Sequence, residues 1–140
     1  MRALIAVAAL LAAAPAAART TDPLSAEDVA AAERAFAAHT REVGIADGIR
    51  AYAAPDAVIF NPDPVNLHES FAGRPSRKGP PHLEWGPLWT GAARSGDMGF
   101  STGPAWFGGR PSSFYFTIWK RQPDGGLKWV LDAGIEVGDA

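Results

Sequence analysis

Two hydrophobic periods divide this chain. Between residues 25 and 44 the apolar stripe runs Val29, Ala32, Phe36, His39 and Val43, at steps of three and four, which is one face of a helix. Ser25, with Asp28 three residues on, has the form of a helix start, because the hydroxyl can accept an orphan N–H of the first turn. Gly44 is placed to end the helix in the left-handed region open to glycine. A second, shorter helix is predicted from Asp47-Gly48 through Ile49, Tyr52 and Ala53, stopped by Pro55. Residues 56–60 then read as a strand, with Val58 and Phe60 on one face and Ile59 on the other. Asn61-Pro62-Asp63-Pro64 breaks it, since two prolines remove two ladder donors.

From residue 65 to residue 81, glycines and prolines predict a long loop with at most one turn of helix. A period of two takes over afterwards. Residues 82–89 alternate weakly, and residues 98–107 form a second run after the turn at Arg94-Ser95-Gly96-Asp97. Residues 113–121 make the clearest strand, with Phe114, Phe116 and Ile118 on one face and Tyr115, Thr117 and Trp119 on the other. Gln122-Pro123-Asp124-Gly125-Gly126 is a hairpin turn, and residues 127–137 return antiparallel. Strict alternation there puts Asp132 on the face of Val130. Both faces of these last two strands carry large apolar groups. One face must therefore meet the helices, and the other a second layer, a partner subunit or a pocket. The chain is accordingly α+β.

Composition narrows the function. The 140 residues fit one domain, and 47% apolar with 20% charged residues is the balance of a globular protein. A net charge of −2 leaves no electrostatic footprint for nucleic acid. Arg74, Arg77 and Lys78 are the nearest thing to one, and they read either as a solvated loop or as a small anion site. The absence of cysteine excludes disulfides, thiolate metal sites and thiol nucleophiles. Residues 1–18 read as a secretory signal: Arg2 precedes the apolar run of residues 4–11, Pro15 breaks it, and Ala16-Ala17-Ala18 offers a cleavage site before Arg19. The expected location is the periplasm or the medium, with residues 19–24 a lead-in and no membrane span in the mature chain. The alternative is an Ala-rich N-terminal helix of the fold itself.

The order of elements resembles the nuclear transport factor 2-like superfamily, over residues 25–137. Several motifs are similar to its SnoaL-like and DUF4440 groups: Ala54-Pro55-Asp56-Ala57-Val58-Ile59-Phe60, Leu83-x-Trp85-x-Pro87, Ser95-Gly96-Asp97-Met98-Gly99-Phe100-Ser101-Thr102-Gly103, and Trp119-Lys120-Arg121-Gln122-x-Asp124-Gly125 followed by Trp129 and Asp132. The resemblance implies a cone in which a curved, antiparallel-rich sheet wraps N-terminal helices around an apolar cavity. It also implies a third helix after Gly73, which the prolines oppose, and dimerisation through the outer sheet face. Ketosteroid isomerase-like members use an Asp base immediately before the Pro that ends the first strand, with a Tyr and an acid as oxyanion donors. Here the matching positions are Asn61, Phe36 and about Thr117. Asn61 takes up no proton at ordinary pH and Phe36 has no donor, so that chemistry is disfavoured.

Asp132 is the most informative single residue. A carboxylate on an apolar strand face has its ionised form disfavoured unless it is paired, which makes either a general acid/base or a structural acceptor of backbone or Trp N–H groups. His39 on the helix stripe and His82 beside Glu84 are the candidate partners of Asp132 in an acid/base pair, and a lone helix His is also an ordinary core residue. His68, His82 and Glu84 lack the spacing of a metal site, so neither metal nor cofactor is expected. Among five tryptophans, Trp85 is the one expected at a cavity mouth. With Trp85, the expected ligand contacts are Phe36, Phe60, Asn61, Phe116 and Thr117. The sequence thus points first to an exported pocket domain binding a small, mostly apolar ligand. A SnoaL-like acid/base enzyme and a dimerising module are the alternatives.

Overall fold

The computed structural model describes residues 22–60 and 62–137. The signal segment and Asn61 lie outside the described residues.

Helix α1, Ala26–Val43, starts on a full capping box: Asp28 N–H donates to Ser25 Oγ at 3.1 Å, and Ser25 N–H donates to Asp28 Oδ2 at 2.9 Å. It ends at Gly44, whose φ of 92° is open to glycine and whose N–H returns to Thr40 O at 2.9 Å. Helix α2, Ile45–Tyr52, follows at once, two residues earlier than the Asp47-Gly48 start predicted.

Strand β1, Ala53–Phe60, also begins early and runs through Pro55. It pairs in parallel with the last strand at Ala53↔Trp129 and Val58↔Leu131, and the register shift between those pairs contains Pro55. A residue without an N–H is tolerated where the ladder is already interrupted. Strand β2, Pro64–Asn66, folds back on β1 as the sheet edge, its proline at the first position. Helix α3, Leu67–Ser70, is a single turn capped by Asn66, the turn of helix allowed in the predicted loop. No third helix follows Gly73 among the described residues.

The predicted strand over residues 82–89 is two short ones, β3, Leu83–Trp85, and β4, Trp89–Ala92. Both pair with the same strand, β5, Met98–Phe107, on successive stretches of one edge. Gly86-Pro87 separates them where the chain crosses close over Gly103; a Cβ on Gly103 would run into the Gly86 carbonyl. Strands β6, Arg110–Arg121, and β7, Leu127–Glu136, complete a curved, unclosed mixed sheet of order β2-β1-β7-β6-β5-β3. The Gln122–Gly126 turn closes as expected, with Gln122 N–H on Gly126 O at 2.8 Å.

The β6 alternation holds. Tyr115, Thr117 and Trp119 are buried on the inner face, Trp119 against α1, while Phe114 and Phe116 are exposed on the other face. Trp119, Trp129, Phe36, Val29 and Leu67 form the core with the small residues of β1. In β7 the alternation fails. Pairing steps from Ile118↔Leu131 to Trp119↔Trp129, leaving Val130 as an extra residue. Asp132 therefore shares the inner face with Trp129, opposite Thr117.

Candidate functional site

The inner sheet face carries a polar cluster inside the core. On α1 the buried positions are Val29, Ala30, Glu33, Phe36 and Thr40, so a carboxylate occupies the stripe where Ala32 and His39 were expected. Glu33 is fully buried. Its two oxygens are taken separately: Trp85 Nε1–H donates to Oε1 at 2.7 Å and Trp119 Nε1–H to Oε2 at 2.8 Å. Burial pushes its pKa up, while Trp85, Trp119 and Ser101 oppose the shift by hydrogen-bonding to the charged form. Ser101 also shares a 3.0 Å hydrogen bond with the Tyr115 hydroxyl. Burial raises the Tyr115 pKa well beyond the ordinary phenol value.

Beside this cluster lies a cavity of about 230 Å³. Its walls come from α1 and α2 (Phe36, Ile49), from α3 and the residue after it (Leu67, Phe71), from β1 (Ile59, Phe60), and from Trp85, Tyr115 and Trp129 on the sheet. Asp132 is the one ionised-type side chain among the described lining residues apart from the Tyr115 phenol. Asp132 keeps partial exposure because it faces the cavity, yet protein surrounds its carboxyl closely enough to remove most of its hydration. Burial accordingly raises its pKa to about 7, against the Thr117 hydrogen bond, and the nearby Glu33 charge adds to the rise. Thr117 Oγ1–H donates to Asp132 Oδ2 at 2.7 Å, and no described residue donates to Oδ1.

The residues singled out in the sequence fall in three places. Asp132, Trp85, Phe36 and Phe60 line the cavity, and Thr117 supports Asp132 from below it. Neither histidine lines it. His39 is half-buried, with its ring 5.7 Å from that of Tyr52. His82 borders a separate outer cleft of about 630 Å³, together with Arg74, Arg77 and Lys78. Phe116 lies on the outer sheet face, stacked on Phe100 at 5.9 Å. Asn61 lies outside the described residues. Among those residues no three His, Asp or Glu side chains gather into a possible metal site, and no helix is long and apolar enough to cross a membrane.

Glu33, Ser101 and Tyr115 were not anticipated. The available signal was chemical: several indole N–H donors in a small core need an acceptor, and Glu33 stands four residues after Val29 and three before Phe36.

No family model matches the chain, and no curated protein matches it. Solved structures do. A crystal structure of a proposed ketosteroid isomerase from Parabacteroides distasonis superposes with a TM-score of 0.60 at 14% identity, over 80% of this chain and 87% of that one. A second, of a proposed ketosteroid isomerase from Shewanella frigidimarina, gives 0.47 at 14%, over 79% of this chain and 95% of that one. At this identity the first likeness establishes the fold alone. This chain has the nuclear transport factor 2-like cone, with N-terminal helices held in a curved sheet.

Proposed function

We propose that the protein is a ligand-binding pocket domain whose cavity takes a small, largely apolar molecule. The observation that carries this reading is the cavity itself, an apolar chamber with a single carboxyl in its wall. An engineered apolar cavity of about 150 Å³ admits benzene. By that measure about 230 Å³ suits one ring with a short substituent. Isomerisation of the kind named for the first structural neighbour is disfavoured by Asn61 in place of a base. Native mass spectrometry of the purified protein tests the reading, with a co-purified small mass or binding of single-ring probes expected. Refusal of every probe, together with a crystal structure showing the chamber filled by side chains, would end it.

An acid/base enzyme is the second reading, favoured by a carboxyl held near neutrality in the same cavity as the Tyr115 hydroxyl. The Asp132–histidine pair has no support in this arrangement. Turnover that survives Asp132→Asn would remove Asp132 from that role, and no turnover of any single-ring compound that the pocket binds would remove the enzyme reading. We further assign residues 25–137 to the SnoaL-like and DUF4440 groups on the Leu83-x-Trp85-x-Pro87 and residue 95–103 motifs. A crystal structure superposing no better on such domains than on isomerases would count against that. Export rests on residues 1–18, and a reporter fused after residue 18 that stays in the cytoplasm would overturn it.

A further inference from the structure

We propose that the cavity selects a small organic cation, a protonated amine carried on one ring or a short chain, over neutral and anionic molecules of the same shape. The inference rests on the cavity being a ligand site at all, and it adds the charge that the ligand carries.

The lining holds six aromatic residues, Phe36, Phe60, Phe71, Trp85, Tyr115 and Trp129, and no Arg, Lys or His among the described residues. Aromatic faces attract cations through the ring quadrupole, most strongly where water is excluded. Two carboxyls, one in the chamber's wall and one behind it, have no counter-cation among the described residues. Asp132 opens into it with Oδ1 accepting from no described residue, and Glu33 sits behind Trp85, bonded among the described residues by neutral donors. No ion pair among the described residues includes either of them. A buried carboxylate lacking a cation is costly, and an ammonium donating to Oδ1 relieves that cost by a charge-assisted hydrogen bond. An anion entering the same space meets the Asp132 carboxyl and the field of Glu33. A neutral alcohol can hydrogen-bond to Asp132 but compensates neither charge.

Binding is also linked to protons. The groups facing Asp132 are Thr117 and Tyr115 from β6 and Glu33 from α1, while Ile59, opposite it on β1, brings no charge. An ammonium pairs with the ionised carboxylate, so its affinity falls as pH drops and Asp132 takes up a proton.

Calorimetric titration of the full purified chain with benzylamine, benzyl alcohol and benzoate decides the matter. At pH 8 benzylamine should bind roughly tenfold or more tightly than benzyl alcohol, with no measurable benzoate binding. Between pH 8 and pH 5.5 the benzylamine affinity should fall roughly 30-fold, while benzyl alcohol should change much less. Asp132→Asn should bring benzylamine down to the level of benzyl alcohol. Should that variant fail to fold, the ligand and pH series on the unmodified protein carries the decision alone. Benzyl alcohol or benzoate binding as tightly as benzylamine at pH 8 overturns the cation inference and leaves the apolar pocket standing. If none of the three binds, the cation inference falls, and the pocket reading is then decided by the wider set of probes and the crystal structure named for it.

Discussion

Thr117 and Asp132 face each other across the β6–β7 ladder, and the Thr117 hydroxyl donates a 2.7 Å hydrogen bond to the Asp132 carboxyl. Among the described residues this is the whole of the direct hydrogen bonding that Asp132 receives. The bond favours the ionised form. Burial and the Glu33 charge favour the neutral one, and they win, taking the pKa to about 7. The protein thus holds a carboxyl near the midpoint of its titration at neutral pH, which is useful to a binding site and unhelpful to stability.

The stability effect has a definite sign. From the ordinary aspartate value of 3.8 up to about 7, folded Asp132 holds a proton that the unfolded chain has lost. Stability therefore falls as pH rises through that window, by at most about 4 kcal/mol from this group. Asp132→Asn should consequently gain on the wild type as pH rises from 4 to 8. Urea unfolding of both proteins at the two pH values measures it, and a difference that does not change with pH would contradict the account.

Removing the Thr117 hydroxyl should push Asp132 further in the same direction. A hydrogen bond to a charged group is worth about 1.5–3 kcal/mol, so Thr117→Val should raise the Asp132 pKa by about one to two units. Carbon-13 NMR of the labelled carboxyl reads the shift directly. An unchanged or lowered value would mean that Thr117 does not support the carboxylate.

What could be read in the sequence was whatever local chemistry decides. The Ser25–Asp28 cap, the Gly44 stop, the Phe114–Trp119 alternation and the Gln122–Gly126 turn each follow from a few adjacent residues. The face of Asp132 did not, because the extra residue at Val130 is set by pairing with β6 and reverses the parity of everything after it. Strands β2 and β4 are three and four residues long and exist only because β1 and β5 offer edges to them. For the site, Trp85, Phe36 and Phe60 were legible as large apolar or aromatic groups, and Asp132 as a carboxylate among apolar residues, though without its face. Glu33 was hidden in a stripe counted for apolar residues, and its acceptor role shows only once Trp85 and Trp119 converge on it.

The outer sheet face carries its own expectation. Phe100 and Phe116 stack there, with Phe114 and Ile135 also exposed, at 54% and 74%. Exposed apolar groups gathered on one face mark an interaction surface, and a second copy of the chain is the simplest occupant, as a C2 interface needs only one self-complementary patch. Sedimentation should show a dimer that Phe116→Asp shifts to monomer with the fold intact. A wild type that stays monomeric at high concentration would dispose of the dimer.

Glu33 supplies the last prediction, because its two oxygens serve two different indoles. Glutamine keeps the shape but brings one acceptor, so in Glu33→Gln one indole N–H must face an amide NH2. An unsatisfied buried donor costs about 1–3 kcal/mol, and the variant should be less stable at neutral pH by about that amount. Emission from Trp85 and Trp119 should also report the protonation of Glu33. Burial raises its pKa, so the wild-type fluorescence should show a pH step above the usual glutamate range. That step should vanish in Glu33→Gln and persist in Asp132→Asn, whose carboxyl touches neither indole. A Gln variant as stable as the wild type, with the fluorescence step intact, would show that the indoles do not depend on this carboxylate. The inner polar cluster would then be incidental to the cavity beside it.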